Sequence, residues 1–483
     1  MKDCRLIDEL ELPLKSFQNF LDAATHAVNQ GLHLYLSSFV CPFVGDWPAQ
    51  FFMRQVQYNL PSFAPLSLQN IVPFIGPLHI QLNARESVCL LNIEFFKKAF
   101  SFIFGARKHL SNKPKASRIS LIEEILYGGW TSIREQVTVA FSNCKDLQYL
   151  ALLNLLDNYL PVVLSIYSVI FKRQNTEEYA TSLLRCWIMF FCYKRHHYNK
   201  APLIWLSNFM HWKNQDHPLF NTLMTNLNAF DEYPVENFHS ILRAQSSHSD
   251  SGDLLRQKAR AFDNTKATSA KFSSVFEVPK KYTFSRSKLE RIKLDAAKFI
   301  CSILKQIAQN PNSGYQVPRP ARKAKNMTYW KLPVLYGEDT VVASKVLPLG
   351  FQFLNKEPNP SRRCDLPNCV QPSINTSMKI LHGCGHSFHP ECFPSGPGIC
   401  SICKDKLVDA IKVLSEAASA SILNPDSVPI VGDRDNDDKE KGDDGEEEFT
   451  TDEKGCDPAT IADAFLELKR EIFTWGLIPG PEA

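Results

Sequence analysis

Apolar residues recur at helical spacing through most of the first 310 positions of this chain. The segments 92–110, 119–245 and 287–309 repeat apolar side chains every three or four residues, which predicts α-helices. Two shorter runs, 33–44 and 70–82, are continuous apolar stretches with proline or glycine at their boundaries, and they predict buried strands. The pattern therefore predicts an α+β fold, in which a large and mostly helical N-terminal domain carries a few strands.

Local signals place three helix boundaries. Ser120 and Glu123 have the spacing of a capping box, which predicts the start of a helix. Pro161 stands inside an apolar stretch and predicts an interruption of the helix there. Near the end of the chain, Asp457 followed by Pro458 matches an N-cap and a first helical position, so a C-terminal helix is expected.

Composition shifts divide the chain into six parts. Residues 433–453 carry twelve acidic and three basic residues, although the net charge of the whole chain is only +3. A tract of that composition is expected to be disordered. The predicted order is a helical domain at 1–310, a basic proline-rich linker with a strand segment at 311–360, a Cys/His module at 361–406, a helix at 407–425, the acidic tract at 426–456 and the C-terminal helix at 457–483.

The bulk composition is that of a globular protein, with 44% hydrophobic and 22% charged residues in 483. Charges at the N-terminus occupy the place where a signal peptide needs its apolar stretch. The longest apolar runs, 160–171 and 186–193, are too short to span a bilayer. An intracellular protein without a membrane segment is therefore expected, and clustered cysteines in a reducing compartment indicate metal binding.

Eight metal-ligand residues crowd into the run from position 364 to position 403. They are Cys364, Cys369, Cys384, His386, His389, Cys392, Cys400 and Cys403. Two tetrahedral zinc ions need eight thiolate or imidazole ligands, and this run supplies that number. The sequence therefore predicts two Zn²⁺ ions, with a single ion and several uncommitted cysteines as the alternative.

The centre of this run, LHGCGHSFHPEC, resembles the core of the RING finger family in its two-histidine variant. The resemblance implies a small cross-braced zinc finger in which the ligands alternate between the two ions. The first set would be Cys364, Cys369, His389 and Cys392, and the second set Cys384, His386, Cys400 and Cys403.

The same resemblance implies recruitment of a protein partner, with RING-type ubiquitin transfer as the enzymatic form of that role. Leu366 and Lys404 would contact a ubiquitin-conjugating enzyme. The run departs from the family pattern in its first ligand pair, which is Cys-x4-Cys, and in the short loop 393–399, where ligases of this family place a helix. A scaffold with purely structural zinc is therefore a second interpretation.

The stretch from about 70 to 245 resembles transposase-like proteins encoded by mobile elements, some of which carry an RNase H-like core. The resemblance implies a relic metal-dependent nuclease or transposase site. Asp46 follows an apolar run, where a strand-borne aspartate is expected, and Glu236 would supply the late acid from a helix, with Asp231 and Glu232 as competitors.

This hypothesis lacks one acid. The second strand-like run offers His79, Asn83 and Glu86, but no aspartate at the expected place. The alternative interpretation is structural, with Asp46 capping a turn and Glu236 pairing with Arg243 or a neighbour. Nucleic acid is a further expected partner through the basic linker PRPARKAK, because phosphate binding needs basic side chains.

Overall fold

The computed structural model describes residues 10, 12–141, 144, 147–192, 195, 197–247, 249–261, 286–309, 364–370, 378–381, 383–393, 400–427 and 458–474. The predicted basic linker, its strand segment, the acidic run at 433–453 and Asp457 lie outside these residues. The described chain is mostly helical with few strands, which confirms that part of the predicted fold.

Helices α1–α15 are Phe17–Ala27, His33–Leu36, Trp47–Tyr58, Pro77–Leu91, Ile93–Phe104, Ala116–Ala140, Leu147–Leu153, Leu160–Ser165, Thr176–Cys192, Ala201–Asn214, Pro218–Thr225, Tyr233–Gln245, Arg286–Gln309, Lys404–Leu423 and Pro458–Thr474. The described strands β1–β4 are Cys41–Gly45, Ile71–Ile75, Lys379–Leu381 and His386–Phe388. A further helical segment covers 252–261.

Strands β1 and β2 lie parallel, with Cys41 opposite Ile71 and Gly45 opposite Ile75, and α3 connects them. Both strands are shorter than the predicted runs. The first run begins as helix α2, and the second run ends because Pro77 starts α4 directly after β2. Proline suits a first helical turn, where its missing N–H would have no partner in the helix. His79 therefore lies on a helix, and the strand prediction was wrong for that half of the run.

Pro161 does not interrupt its helix. Helices α7 and α8 join through a wider π-helical turn at Asn154–Tyr159, and a second π-helical turn at Ile166–Phe171 follows α8, so the helix continues although Pro161 has no N–H to donate. The continuous helix Tyr149–Phe171 has 23 residues and is apolar and long enough to cross a membrane, but 61% of its apolar window is buried inside the protein. That burial is typical of a core helix, and this helix is longer than the run counted in the sequence.

The capping box at Ser120 is also absent. Helix α6 begins earlier, at Ala116, so Ser120 and Glu123 lie inside it. Glu123 is 0% exposed, and its Oε2 accepts a hydrogen bond from Nε of Arg85 on α4 at 2.8 Å. Burial raises the pKa of Glu123 to about 8 although Arg85 opposes the shift. Glu123 therefore belongs to the buried core of the domain, where it pairs with Arg85, and does not cap a helix.

The longest described helices, α6 and α13, cross at Gly129. A Cβ at this glycine would lie 2.8 Å from the backbone N of Ala297 and from the backbone O of Lys293, so no side chain fits between the helices. Helix α15 packs on both of them, and Lys305 pairs with Glu471 at 2.8 Å. The C-terminal helix thus belongs to the same apolar core as the first helices.

Candidate metal centre

Two groups of Cys and His side chains each gather four ligand atoms within 4.8 Å of one another. The groups are Cys364, Cys369, His389 and Cys392, and Cys384, His386, Cys400 and Cys403. These are the two alternating sets that the RING resemblance implies. Each set could hold one metal ion.

The distances between ligand atoms fit a tetrahedral ion. Bonds of about 2.0–2.3 Å, as for zinc with nitrogen and sulfur, place the ligand atoms about 3.3–3.8 Å apart. In the first set, Sγ of Cys369 lies 3.3 Å from Nδ1 of His389 and 3.8 Å from Sγ of Cys392. In the second set, Nδ1 of His386 lies 3.4 Å from the sulfurs of Cys400 and of Cys403. Both histidines therefore present Nδ1 to the ion.

A short antiparallel hairpin carries two ligands of the second set, Cys384 and His386. Leu381 pairs with His386 across β3 and β4, and Cys384 lies in the turn between them. Gly385 has a φ of 77°, a conformation that costs glycine little, and its N–H donates to the carbonyl of Leu381. The glycine thus lets Cys384 and His386 point to one ion from a tight turn.

The segment that carries the first ligands is bound to the same hairpin. The backbone N of Asp365 donates to O of Ser387 at 2.9 Å, and N of Ser387 donates to Oδ2 of Asp365 at 2.8 Å. Between the two ligand sets, Phe388 is fully buried and makes an edge contact with Phe393. A small apolar filling and these backbone bonds therefore hold the alternating ligands in place.

The pKa values of two thiols in the second set move in opposite directions, so that Cys400 favours the thiolate and Cys384 the thiol. Hydrogen bonds with Cys384 and Cys403, together with one to His386, lower the pKa of the Cys400 thiol well below its usual range. The contacts with Cys400 and Cys403 raise the pKa of Cys384. Because the thiolate is the form of cysteine that binds metals, this arrangement suits a cation.

The Cys/His module (residues 364–403) packs directly on the helical domain. Ile188 and Phe191 of α9 join the apolar cluster of the module, together with Leu407 of α14. A Cβ at Gly383 would lie 3.6 Å from Oδ1 of Asn154, which belongs to the continuous helix Tyr149–Phe171. The module is therefore seated against α9 and the Tyr149–Phe171 helix.

The two residues predicted to contact a partner lie beside metal ligands, Leu366 on the first ligand loop and Lys404 at the start of α14. Leu366 is half-buried in the cluster of the module, and Val370 on the same loop is 94% exposed. Lys404 is exposed at the first position of α14. Lys404 and part of the first ligand loop are therefore accessible to solvent.

A second group of polar residues lies where the parallel strands β1 and β2 end. Asp46 follows β1 and is the N-cap of α3, where its Oδ1 accepts a hydrogen bond from the backbone N of Ala49 at 2.9 Å. His79 lies in the first turn of α4, just after β2. Parallel strands bring their carboxyl ends to one edge of a sheet, and such edges commonly hold functional groups.

Glu232 and Glu236 approach His79 from the start of α12. Oε1 of Glu232 accepts from the backbone N of His79 at 3.0 Å and lies 3.3 Å from its Nδ1. Nε2 of His79 lies 3.8 Å from Oε1 of Glu236. Burial opposes a charged imidazole, but Glu232, Asp46 and Glu236 outweigh it and raise the pKa of His79. We call Asp46, His79, Glu232 and Glu236 the acid cluster.

Gly76 makes room for the buried carboxylate of this cluster. A Cβ there would lie 2.1 Å from Cδ and Oε1 of Glu232. Glu232 is 3% exposed, and its Oε2 is buried without a hydrogen-bond partner among the described residues. The carboxylate lies at the N-terminus of α4, where a helix favours negative charge.

The remaining candidate residues bind partners other than the His79 side chain, although Nδ2 of Asn83 donates to the backbone O of His79 at 3.0 Å. Asp231 accepts a hydrogen bond from Tyr167 at 3.1 Å and pairs with Lys172. Asn83 and Glu86 both bind Arg195, each at 2.6 Å. Asp46 does cap a backbone segment, as the structural alternative expected, while the side chain of Arg243 lies outside the described residues.

Within the described residues, only the two Cys/His sets bring three or more ligand atoms within 4.8 Å of one another. Asp46 and Glu236 therefore both approach His79 without forming a closed metal site. The sequence offered Glu232 as a competitor for the late acid and His79 in the run that lacks an aspartate, but it did not predict that the two residues pair. The sequence Gly76-Pro77 after an apolar run was the available signal, because it predicts that His79 falls in the first turn of a helix.

Comparisons with known proteins do not add to these observations: no protein-family model, no curated protein and no solved structure matches the chain.

Proposed function

We propose that this protein binds two zinc ions through a RING-type Cys/His module and uses the module to recruit a protein partner. The observation that carries the proposal is the gathering of all eight predicted ligands into two alternating tetrahedral sets. Thiolate and imidazole ligands at these distances suit zinc better than magnesium or calcium, which prefer oxygen.

The exposed face around Leu366 and Lys404 is the proposed contact for the partner. In the family that the module resembles, the corresponding face binds a ubiquitin-conjugating enzyme. The module itself supplies no group for acyl transfer, so its contribution would be to position a charged partner. A ubiquitin ligase is therefore the enzymatic form of the proposal.

Two measurements on the full chain test this function. Metal analysis should give two zinc ions per chain, and one or none would reject the alternating arrangement. Autoubiquitination with a panel of conjugating enzymes should then show activity that Leu366→Ala lowers and that Val413→Ala, on the exposed side of α14, leaves unchanged. If no conjugating enzyme of the panel gives activity while both zinc ions are bound, the ligase hypothesis is rejected, and a scaffold with structural zinc remains.

A second candidate function is a relic of metal-dependent phosphodiester chemistry at the acid cluster. The specific observation is that Asp46 and Glu236, which the sequence pointed to independently, both lie beside His79 at the ends of parallel strands. His79, oriented by Glu232, stands at the position for which the sequence offered no third acid.

Binding of Mn²⁺ to the zinc-loaded chain, measured by calorimetry, tests this candidate. A relic site should bind at least one further ion, and Asp46→Asn and Glu236→Gln should each weaken that binding. Asp231→Asn is the matched control, because Asp231 carries the same charge nearby but contacts Tyr167 and Lys172. No binding beyond the two zinc ions would reject the candidate.

A further inference from the structure

Helix α14 runs from the Cys/His module to helix α3 of the helical domain. Its N-cap is Cys403, a ligand of the second set. Along its first half, Ala410 packs with Trp187 of α9 and Leu203 of α10. Near its end, Ile422 is buried in the main apolar core. One helix therefore begins at a metal site and ends inside another part of the protein.

A buried glutamine on α3 receives the end of α14. Nε2 of Gln55, which is 0% exposed, lies 3.1 Å from O of Ser421, 2.7 Å from O of Asn424 and 3.0 Å from O of Ser427. The last carbonyls of a helix have no partner within it, so this side chain acts as a C-terminal cap that comes from another element. An unpaired buried carbonyl is unfavourable, and the contact therefore favours one seating of α14.

Helix α14 has little reason to keep this position without the module. Val408 and Val413 are exposed, at 54% and 62%, so only one side of the helix is covered by protein. Most of the stability of a helix in a protein comes from tertiary packing of its apolar face, so α14 depends on its packing and on its fixed start. A Cys/His module of this kind folds with its metal and loses its structure without it.

We infer that the proposed zinc ions clamp the helical domain: metal at Cys400 and Cys403 fixes the start of α14, and Gln55 fixes its end on α3. Metal occupancy then controls the order of α3, whose N-cap is Asp46 of the acid cluster. The inference rests on the proposal that the module binds zinc, and it is independent of partner recruitment. Loss of zinc would therefore loosen α3, although Gln55 on that helix is at least 366 residues away in sequence from the carbonyls that it binds.

Hydrogen exchange measured by mass spectrometry on the full chain tests the clamp. Zinc content is determined first, so that failure to bind zinc, which rejects the proposed function, is distinguished from failure of the clamp. Chelation should then speed exchange on the order of tenfold in α14 and in α3, since both lose packing and capping contacts. Helices α6 and α13 should keep their protection. Unchanged exchange in α3 after complete zinc removal would overturn the inference.

A variant that keeps the metal isolates the contact with Gln55. Gln55→Met has nearly the same shape but no donor, so it should retain two zinc ions while exchange in the last turn of α14 rises. Gln57→Met is the matched control on the same helix, because Gln57 donates to the carbonyls of Leu68 and Ile71 within the helical domain. Equal protection of α14 in both variants and in the parent protein would also overturn the clamp.

Discussion

The Cys/His module and the acid cluster both assemble polar side chains, but they do so by different means. The ligands of the module come from one short stretch of chain, and each set converges to within 4.8 Å. The acid cluster draws Asp46, His79, Glu232 and Glu236 from distant elements, which the apolar core of the helical domain positions. Its carboxylates share a single imidazole.

This difference shows what each arrangement needs in order to persist. Four mutually close thiols and imidazoles have little reason to converge except a cation, whereas the acid cluster is positioned by the core of the helical domain, and backbone N–H groups donate to two of its carboxylates. We therefore expect the module to depend on metal and the helical domain, apart from the contact of α3 with α14, to depend on packing. The following predictions test that division, beginning with the largest expected effect.

Cys403→Ser should have the largest effect, because it removes a ligand and also changes the N-cap of α14. Structural zinc contributes on the order of 10 kcal/mol to the folding of small modules, so the second site should lose its metal and the module its fold. Metal analysis should fall below two ions per chain, and circular dichroism should show loss of helix. Retention of two zinc ions with an unchanged spectrum would contradict the proposed ligand set.

The pH dependence of stability should reveal Glu123 in the helical domain. Its pKa is raised to about 8 in the folded state, so the native protein holds this proton more tightly than the unfolded chain does. The contribution is therefore complete below about pH 4.5 and is lost as the pH rises through 8. It amounts to several kcal/mol as an order of magnitude.

Denaturant unfolding at several pH values measures this effect. Glu123→Gln cannot titrate, so its unfolding free energy should change less between pH 5 and 8 than that of the parent protein. Glu124→Gln is the control, since Glu124 also contacts Arg85 but is 64% exposed. Identical slopes for the parent protein and Glu123→Gln would show that the buried carboxyl does not gain a proton in this range.

Gly76→Ala should destabilise the helical domain by about 1–3 kcal/mol, because the new methyl group overlaps the carboxylate of Glu232. The backbone at Gly76 is extended, with a φ of −69°, so alanine brings no strain of its own. In the Glu232→Ala background the same change should cost less, and a double-mutant cycle measures the difference. Additive effects would mean that the carboxylate does not lie over Gly76.

Val370→Ser should have the smallest effect, within about 0.5 kcal/mol, because the side chain is almost fully exposed on the first ligand loop. Thermal unfolding and zinc content should match those of the parent protein. A substantial loss of stability would indicate that this loop is covered by another part of the molecule, and the proposed partner face would then be unavailable.

The sequence predicted the module better than the domain, because spacing within a short segment already determines which ligands can meet. The eight ligands could be read from the sequence, and the resemblance to the RING family implied the two alternating sets that the structure brings together. In the helical domain, by contrast, the contact between Gln55 and Ser427 joins residues 372 positions apart, and no local pattern indicates it. Long-range packing decides such contacts.

Local rules also failed where tertiary structure supplied a different use for the same residues. Ser120 and Glu123 matched a capping box, yet Glu123 lies inside α6 because Arg85 pairs with it in the core. Pro161 should have ended a helix, but π-helical turns on either side absorb it. That most of the long apolar segments form helices was therefore predictable from the sequence, whereas the roles of their buried polar residues were not.

The crossing of α6 and α13 at Gly129 has a mechanical consequence. A Cβ added at this residue would lie 2.8 Å from backbone atoms of α13, which cannot move aside as the end of a flexible side chain could. A single added methyl group would therefore push the two helices apart at this contact. Because α15 packs on both helices, the surface that it packs on would change as well.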